Sequence, residues 1–167
     1  TYPQQKPLNE NAISIMMDAQ MLLNGISRSL FATADDELRP VMNGIYFDIH
    51  TDDLTFVASD GHKLVRLRNL SVKSPERASF ILPKKPANLL KGLLSKEGEM
   101  VSIKFDDNNA YINCANFEMV CRLIEGNYPN YNAVIPTANP NKVLVDRIEL
   151  VNGIKRVAVC SNPTTNL

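Results

Sequence analysis

The sequence repeats itself, and this repetition limits the possible folds more than any other feature. Residues 19–26 (AQMLLNGI) match residues 86–93 (PANLLKGL) at an offset of 67, and the Arg-Leu pair at 66–67 returns at 122–123, an offset of 56. The shorter second offset indicates an 11-residue insertion in the first copy, which we assign to the segment FATADDELRPVM at 31–42. Repeats of this kind are units that bury their apolar faces against one another. The pattern therefore predicts a binding scaffold of repeated units.

A longer period is present as well. Residues 16–28 (MMDAQMLLNGISR) match residues 144–156 (LVDRIELVNGIKR) at an offset of 128, with identical residues at six positions. Tyr2-Pro3 is echoed by Tyr128-Pro129. Because the first residue is Thr1 rather than Met, we expect a piece of a longer polypeptide. The expected divisions are the end of a preceding domain at 1–9, a complete domain at 10–128, a linker at 129–141 and the truncated start of a further domain at 142–167.

Hydrophobic periodicity predicts an α+β fold made of two β-α-β-β-β units. Strands are expected over 11–17, 44–50, 54–58, 63–72, 78–82, 100–105, 110–114 and 117–124, and helices after an Asp18 N-cap and over 83–95. The inward positions are expected to be Ala19, Leu22, Leu23, Ile26 and Leu30 in the first helix and Leu89, Leu90, Leu93 and Leu94 in the second. Pro40 and three acidic residues predict a loop over 31–42. The tail from Lys142 is expected to hold a strand and a helix that lack the strands on which they would pack.

Composition excludes several classes of protein. The 18 basic and 18 acidic residues give a net charge of zero, so a basic surface must come from local segregation. No apolar run reaches the roughly 20 residues that span a bilayer. The odd number of cysteines, three, favours buried thiols in the cytoplasm over disulfides or a zinc site. His50 and His62 have no carboxylate and nucleophile at catalytic spacing, so we expect no catalytic residue, metal or cofactor.

Four motifs together resemble one family. In order, they are FATADDELRPVMNGIYFD, VASDGHKLVRL, ILPKK and LIEGNYPNY. Their order and spacing resemble the bacterial DNA polymerase III beta subunit, the DNA sliding clamp, over essentially the whole chain. The resemblance implies a middle domain plus the first strand and helix of the C-terminal domain.

The resemblance also implies an architecture and partners. Members of that family are homodimeric rings of three similar domains per subunit, with helices on the inner face and antiparallel sheets outside. They are non-catalytic processivity subunits of the replicative DNA polymerase and encircle double-stranded DNA independently of sequence. Their partners are the polymerase subunit, the clamp loader and repair proteins that carry clamp-binding motifs, and no membrane is involved. A fragment of this extent is expected to be monomeric and unable to close a ring.

Two sets of site residues follow from the resemblance. The DNA-facing set is Arg28, Arg39, Lys84, Lys85, Lys91, Lys155 and Arg156. From Pro83 to Lys96 the chain has four lysines and no acid, and two of them lie at a helix N-terminus, where the helix dipole disfavours cations unless phosphates are near. Acidic residues are expected to lie apart from this set, in loops and turns.

The second set is a partner-peptide pocket. It comprises Met42, Ser59, Gly61, His62, Lys63, Leu64, Pro129, Ala133 and Val134. Apolar and adaptable side chains suit a promiscuous surface, and Gly61 suits a tight turn. Ala133 stands where some members of the family carry an arginine. Because half of this pocket lies in the C-terminal domain, the chain alone is expected to bind such peptides weakly or not at all.

Two other functions are compatible with the repeats alone. One is a peptide-binding adaptor that does not encircle DNA, and it predicts no basic channel lined by helices. The other is a nucleotide-processing enzyme, for which the sequence provides neither a glycine-rich phosphate loop nor a catalytic constellation. A further repeat of domain size on each side of this chain in its open reading frame would favour the clamp over both.

Overall fold

The computed structural model describes residues 8–96 and 98–161. The Tyr2-Pro3 echo, and with it most of the expected preceding domain at 1–9, lies outside the described residues. The chain forms two compact units, one that ends at Tyr131 and one that begins at Asn132. Each is described by itself, and the finer division into domains and a linker stays a prediction.

Strands and helices of the first unit follow the predicted α+β order. They are β1 (Ile13–Asp18), α1 (Ala19–Ser29), β2 (Gly44–Ile49), β3 (Leu54–Ser59), β4 (Leu64–Asn69), β5 (Ala78–Pro83), α2 (Lys84–Leu94), β6 (Met100–Phe105), β7 (Asn109–Cys114) and β8 (Phe117–Arg122). The predicted loop at 31–42 contains short 3-10 turns at Leu30–Ala32 and Pro40–Met42. The strand predicted over 63–72 is shorter, because Asn69 Oδ1 accepts hydrogen bonds from the backbone N–H and the hydroxyl of Ser71 in a turn at the end of β4.

The first strands of the two repeat units are exchanged between the two sheets. One antiparallel sheet has the order β1-β6-β7-β8 and the other has the order β4-β3-β2-β5. Ile15 of the first repeat pairs with Ile103 of the second repeat, and Phe80 of the second repeat pairs with Phe47 of the first. Each sheet therefore needs both repeats, and neither repeat can complete a sheet alone.

Helix α1 begins where the sequence places its cap. The Asp18 carboxylate accepts hydrogen bonds from the backbone N–H groups of Gln20 (2.9 Å) and Met21 (3.0 Å), which satisfies two of the donors left open at a helix start. The predicted inward residues Ala19, Leu22, Ile26 and Leu30 are buried, and Leu23 is partly buried. Gly25 is also buried, because the ring of Phe56 occupies the space that a Cβ there would need.

The inward face of α2 was predicted incorrectly in part. Ala87, Leu90 and Leu94 are buried, whereas Leu89 and Leu93 are 64% and 40% exposed. The 67-residue offset aligns Leu22 with Leu89, but the buried residues of the two helices correspond at 68, as in Leu22 and Leu90. The sequence alignment of the two helices is therefore one residue away from their structural alignment, and this rotates the predicted inward face of α2 by about 100°.

A row of phenylalanines joins the two sheets across the core. Phe56 packs edge-on against Phe47 (4.8 Å between ring centroids), Phe47 stacks on Phe80 (4.4 Å), and Phe80 contacts Phe105 of the other sheet (4.5 Å). Aromatic pairs of this kind add about 0.5–1.5 kcal/mol beyond their buried area. The two sheets thus share one core, with α1 and α2 packed side by side against it.

The second unit contains α3 (Arg147–Ala158). Asp146 caps it as Asp18 caps α1, accepting hydrogen bonds from the N–H groups of Ile148 and Glu149. The strand predicted before α3 does not form, because among the described residues no neighbouring strand is available to pair with 142–146. The side chains of Val143 and Val145 are accordingly exposed. Among residues 8–96 and 98–161, no helix combines the length and the apolar character that crossing a membrane requires.

Candidate nucleic-acid interface and docking surface

Helices α1 and α2 together form a surface without acidic side chains. Neither helix contains an Asp or Glu between its first and last residues, in a chain with 18 such residues. Of the predicted DNA-facing residues, Arg28 is exposed in the last turn of α1, and Lys85 and Lys91 are exposed on α2. We call the exposed residues of α1 and α2 the helix surface. Its charged side chains are all basic, as sequence-independent contact with phosphates requires, and the exposed Leu89 and Leu93 lie on the same helix as Lys85 and Lys91.

Two other predicted cations are paired with acidic residues that we expected to lie apart from them. The Lys84 ammonium forms an ion pair with Asp35, and the Arg39 Nε donates to Asp36 Oδ2 at 2.8 Å. The hydrogen bond from Arg39 holds the pKa of the Asp36 carboxyl below its usual range. Asp35 therefore offsets the dipole cost at Lys84, and of the two lysines at the start of α2, Lys85 is the one whose dipole cost a nearby phosphate would offset.

Lys155 and Arg156 belong to the second unit. They are exposed in the last turn of α3, where the helix dipole also favours a positive charge. Glu149 in the first turn makes α3 less uniformly basic than α2.

The turn at 59–64 is held by one carboxylate. Asp60 Oδ1 accepts from the N–H groups of His62 and Lys63, both at 2.9 Å, and its other oxygen pairs with the Lys63 ammonium. These bonds, chiefly the one from the Lys63 side chain, lower the pKa of Asp60 far below its usual range. The turn presents His62 and Lys63 as exposed side chains on a fixed backbone.

Gly61 brings the two predicted sites together. Its φ of +91° lies in the left-handed region that favours glycine, and Nη1 of Arg39 lies 2.8 Å from where its Cβ would be. Arg39, predicted to face DNA, thus contacts the turn of the predicted peptide pocket. A contact across 22 residues of sequence gives no periodic signal, which is why sequence reasoning did not find it.

Within the first unit, Met42 and Leu64 of the predicted pocket lie at the same end of the β4-β3-β2-β5 sheet. Met42 is almost fully buried after the Pro40 turn, and Ser59 pairs with Leu64, which is partly exposed. Pro129 is exposed in the first unit, whereas Ala133 and Val134 are exposed in the second. We call Arg39, Met42, Ser59, the Gly61–Lys63 turn and Leu64 the docking surface.

In the segment 123–131, here called the strap, a strand was predicted only as far as residue 124, whereas β8 ends at Arg122. The N–H of Ile124 donates to the Ile81 carbonyl at 3.1 Å, the Tyr128 ring stacks on Tyr46 with centroids 4.7 Å apart, and the Tyr131 hydroxyl donates to Asp48 at 2.7 Å. Burial raises the pKa of the Tyr128 hydroxyl to about 12. The strap crosses from the last strand of one sheet onto the other sheet and so fixes the position of Pro129.

Within the part of the chain that the structure describes, no group of three or more His, Cys, Asp or Glu side chains is arranged to hold a metal ion. Of the three thiols expected to be buried, Cys114 and Cys121 are half-buried and Cys160 is exposed. Burial raises the pKa of Cys121 to about 11. A neutral thiol of this kind is a weak nucleophile.

Comparison with known proteins identifies what this arrangement is similar to. The family model described as "DNA polymerase III beta subunit, central domain" matches residues 16–130. The beta sliding clamp of Borreliella burgdorferi is 40% identical over 134 residues, which cover 76% of this chain and 34% of that protein. The clamp of Treponema pallidum is 30% identical and covers 92% of this chain and 41% of that protein. The chain thus spans less than half of the length of these curated relatives.

Solved structures agree. The DNA polymerase III subunit beta of Borrelia burgdorferi, in complex with a natural product, superposes with a TM-score of 0.85 at 32% identity, over 97% of this chain and 42% of that one. The sliding clamp of Pseudomonas aeruginosa bound to griselimycin gives a TM-score of 0.89 at 25% identity, over 99% and 45%. The α+β fold predicted from the sequence is confirmed.

Proposed function

Because the chain belongs to the DNA polymerase III beta subunit family, we propose that the protein is a processivity factor that encircles duplex DNA and docks the proteins acting on it. In this role the protein has no chemistry of its own. It holds the replicative polymerase on its template by enclosing the duplex. The observation that carries the proposal is the helix surface, formed by two adjacent helices without an acidic residue in a chain of zero net charge.

A ring that slides along DNA needs weak, sequence-independent attraction to the duplex rather than tight binding. Exposed lysines and arginines neutralise phosphates without reading sequence, and the attraction weakens as salt rises. Arg28, Lys85 and Lys91 meet this need in the first unit, and Lys155 and Arg156 meet it on α3. The ion pairs at Lys84 and Arg39 support a narrower DNA-facing set than the sequence suggested.

The docking surface is the second part of the proposal. Partners such as the polymerase subunit, the clamp loader and repair proteins are expected to insert a short peptide with apolar anchors near Leu64 and Met42. Pro129, Ala133 and Val134 are proposed to complete the pocket. Arg39, held against Gly61, supplies a charged group at its rim.

The proposed assembly is a homodimeric ring in the cytoplasm. This chain alone is proposed to be monomeric and to bind docking peptides weakly. Light scattering that shows a stable dimer of the 167-residue chain would contradict the first statement, and a peptide affinity equal to that of the full polypeptide would contradict the second.

Salt dependence of DNA binding tests the helix surface. In the full polypeptide on a nicked circular duplex, Lys85→Gln and Lys91→Gln should each make the log–log slope of binding against salt shallower by about one, because each removes one phosphate contact. Lys104→Gln removes the same charge from an exposed position on β6 and serves as the matched control.

The slope should not change in the control. Equal slopes in all three variants and the wild type would contradict a DNA-facing role for α2 and would favour the adaptor.

A further inference from the structure

The outer face of the β4-β3-β2-β5 sheet carries a cleft that neither proposed role uses. Its volume is about 360 Å³, and its lining includes three arginines, Arg66, Arg68 and Arg77, and two aspartates, Asp52 and Asp53. The Tyr131 ring at the end of the strap borders it. These five side chains together carry a net charge of +1. The positive charges lie on three planar guanidinium groups, which are suited to binding oxyanions.

Strand alternation places this cleft on the face opposite the helices. Phe56 packs against Gly25 of α1 and pairs with Leu67, so those side chains point to the helix side. Arg66 and Arg68 flank Leu67 on β4 and therefore point to the other side. A duplex held against the helix surface would not reach them, which favours a protein-borne anion over a nucleic-acid phosphate.

Arg68 is held in place by a buried carboxylate. Asp53 is buried, and its carboxylate accepts from Arg68 Nη2 at 2.6 Å and from the Thr55 hydroxyl at 3.3 Å. The Arg68 side chain is nevertheless 61% exposed, and a guanidinium has five N–H donors. It can therefore donate to a second anion while Asp53 keeps it positioned. Arg77 immediately precedes β5, whose first residue, Ala78, pairs with Ile49 at the end of β2. Arg77 therefore borders the cleft on the β5 side.

The cleft is continuous with the docking surface along one strand. Leu64, Arg66 and Arg68 are alternate residues of β4 and share a face, so Arg68 lies about 13 Å from Leu64 at roughly 3.3 Å per residue. An extended peptide anchored at Leu64 spans this distance with about four residues.

We propose that the cleft is an accessory site for acidic side chains that flank the apolar anchors of a docking peptide. The ligand chemistry is a carboxylate two to four residues from the anchor, received by Arg66, Arg68 and Arg77. This inference rests on the proposed docking function and adds to it a partner class, peptides with an acidic flank.

The test compares peptides that share their apolar anchors and differ only in the flank, with glutamates or glutamines on either side. On the full polypeptide, titration calorimetry at low salt should show the glutamate peptide binding about threefold to tenfold tighter. The ratio should approach one at about 0.5 M salt, where the screening length is short.

Variants locate the effect. Arg66→Gln with Arg77→Gln should bring the ratio to about one at low salt and leave the affinity of the glutamine peptide unchanged; Arg68 is kept because it pairs with the buried Asp53. Lys104→Gln on the other sheet should keep the wild-type ratio.

Equal affinities of the two peptides for the wild type would overturn the inference, as would a ratio that survives the double substitution. A double variant that loses duplex binding while its peptide ratio stays unchanged would also overturn it, in favour of a nucleic-acid contact. If the glutamine peptide itself fails to bind, the docking function fails rather than the accessory site alone.

Discussion

Helices α1 and α3 have closely related sequences and different surroundings. Both start from an aspartate cap with the same two backbone hydrogen bonds, and both carry Leu, Gly and Ile at corresponding positions. In the first unit Leu22 and Ile26 are fully buried, whereas in the second Leu150 and Ile154 are 49% and 59% exposed. The local sequence is sufficient for the cap and the helix, but the burial of the apolar face depends on strands supplied from elsewhere in the chain. Predictions that substitute matched residues in the two helices test this difference.

The largest difference is expected from truncating the matched leucines. In this 167-residue chain, Leu22→Ala should lower the free energy of unfolding of the first unit by about 2–5 kcal/mol, because it leaves a cavity in a closed core. Leu150→Ala should change that free energy by less than about 0.5 kcal/mol, since the site is half exposed and lies in the other unit. Urea denaturation followed by circular dichroism measures both. Equal losses would mean that the face of α3 is covered in solution.

The matched glycines should respond in opposite directions. A Cβ at Gly25 would lie 2.4 Å from the Phe56 ring, while at Gly153 the nearest atom is an Arg156 nitrogen at 3.9 Å. Gly25→Ala should therefore destabilise the first unit by about 1–3 kcal/mol through overpacking. Gly153→Ala should slow amide exchange in α3, because alanine favours a helix over glycine by up to about 1 kcal/mol. Destabilisation by both, in denaturation and hydrogen-exchange measurements, would contradict the open space around Gly153.

The smallest effects, and the most similar, are expected at the caps. Asp18→Ala and Asp146→Ala each remove two hydrogen bonds to the first turn and should cost about 0.5–2 kcal/mol of helix stability. The first loss should appear in the unfolding of the whole first unit, because α1 is part of its core. The second should appear only as faster amide exchange at the start of α3. A cap effect in one helix and none in the other would show that the two aspartates are not equivalent.

Local signals predicted much of the fold. The Asp18 cap, the hairpin turns and the order of strands follow from residues close in sequence. The exchange of β1 and β5 between sheets was not predicted, because periodicity shows which residues face inward but not which strand lies alongside. The exposure of Leu89 and Leu93 was missed for a related reason, since the sequence match between α1 and α2 is one residue away from the match between their buried faces.

The candidate sites were predicted less completely. The turn conformation at Gly61 follows from its residue type, but the pairing of Lys84 with Asp35 joins residues 49 apart in sequence. The strap was missed because Tyr128 and Tyr131 have partners, Tyr46 and Asp48, on a distant strand. Contacts between distant segments decide which charges remain available for a ligand, and one sequence does not display them.

The central claim is that the whole protein holds DNA by enclosing it. The most direct measurement compares its retention on a nicked circular duplex before and after a restriction enzyme linearises the circle, with the full polypeptide loaded and free protein removed. The account predicts stable retention on the circle and rapid loss from the linear duplex, because the ring slides off an open end. Equal retention on circular and linear DNA would contradict it and would mean that the helix surface grips the duplex directly.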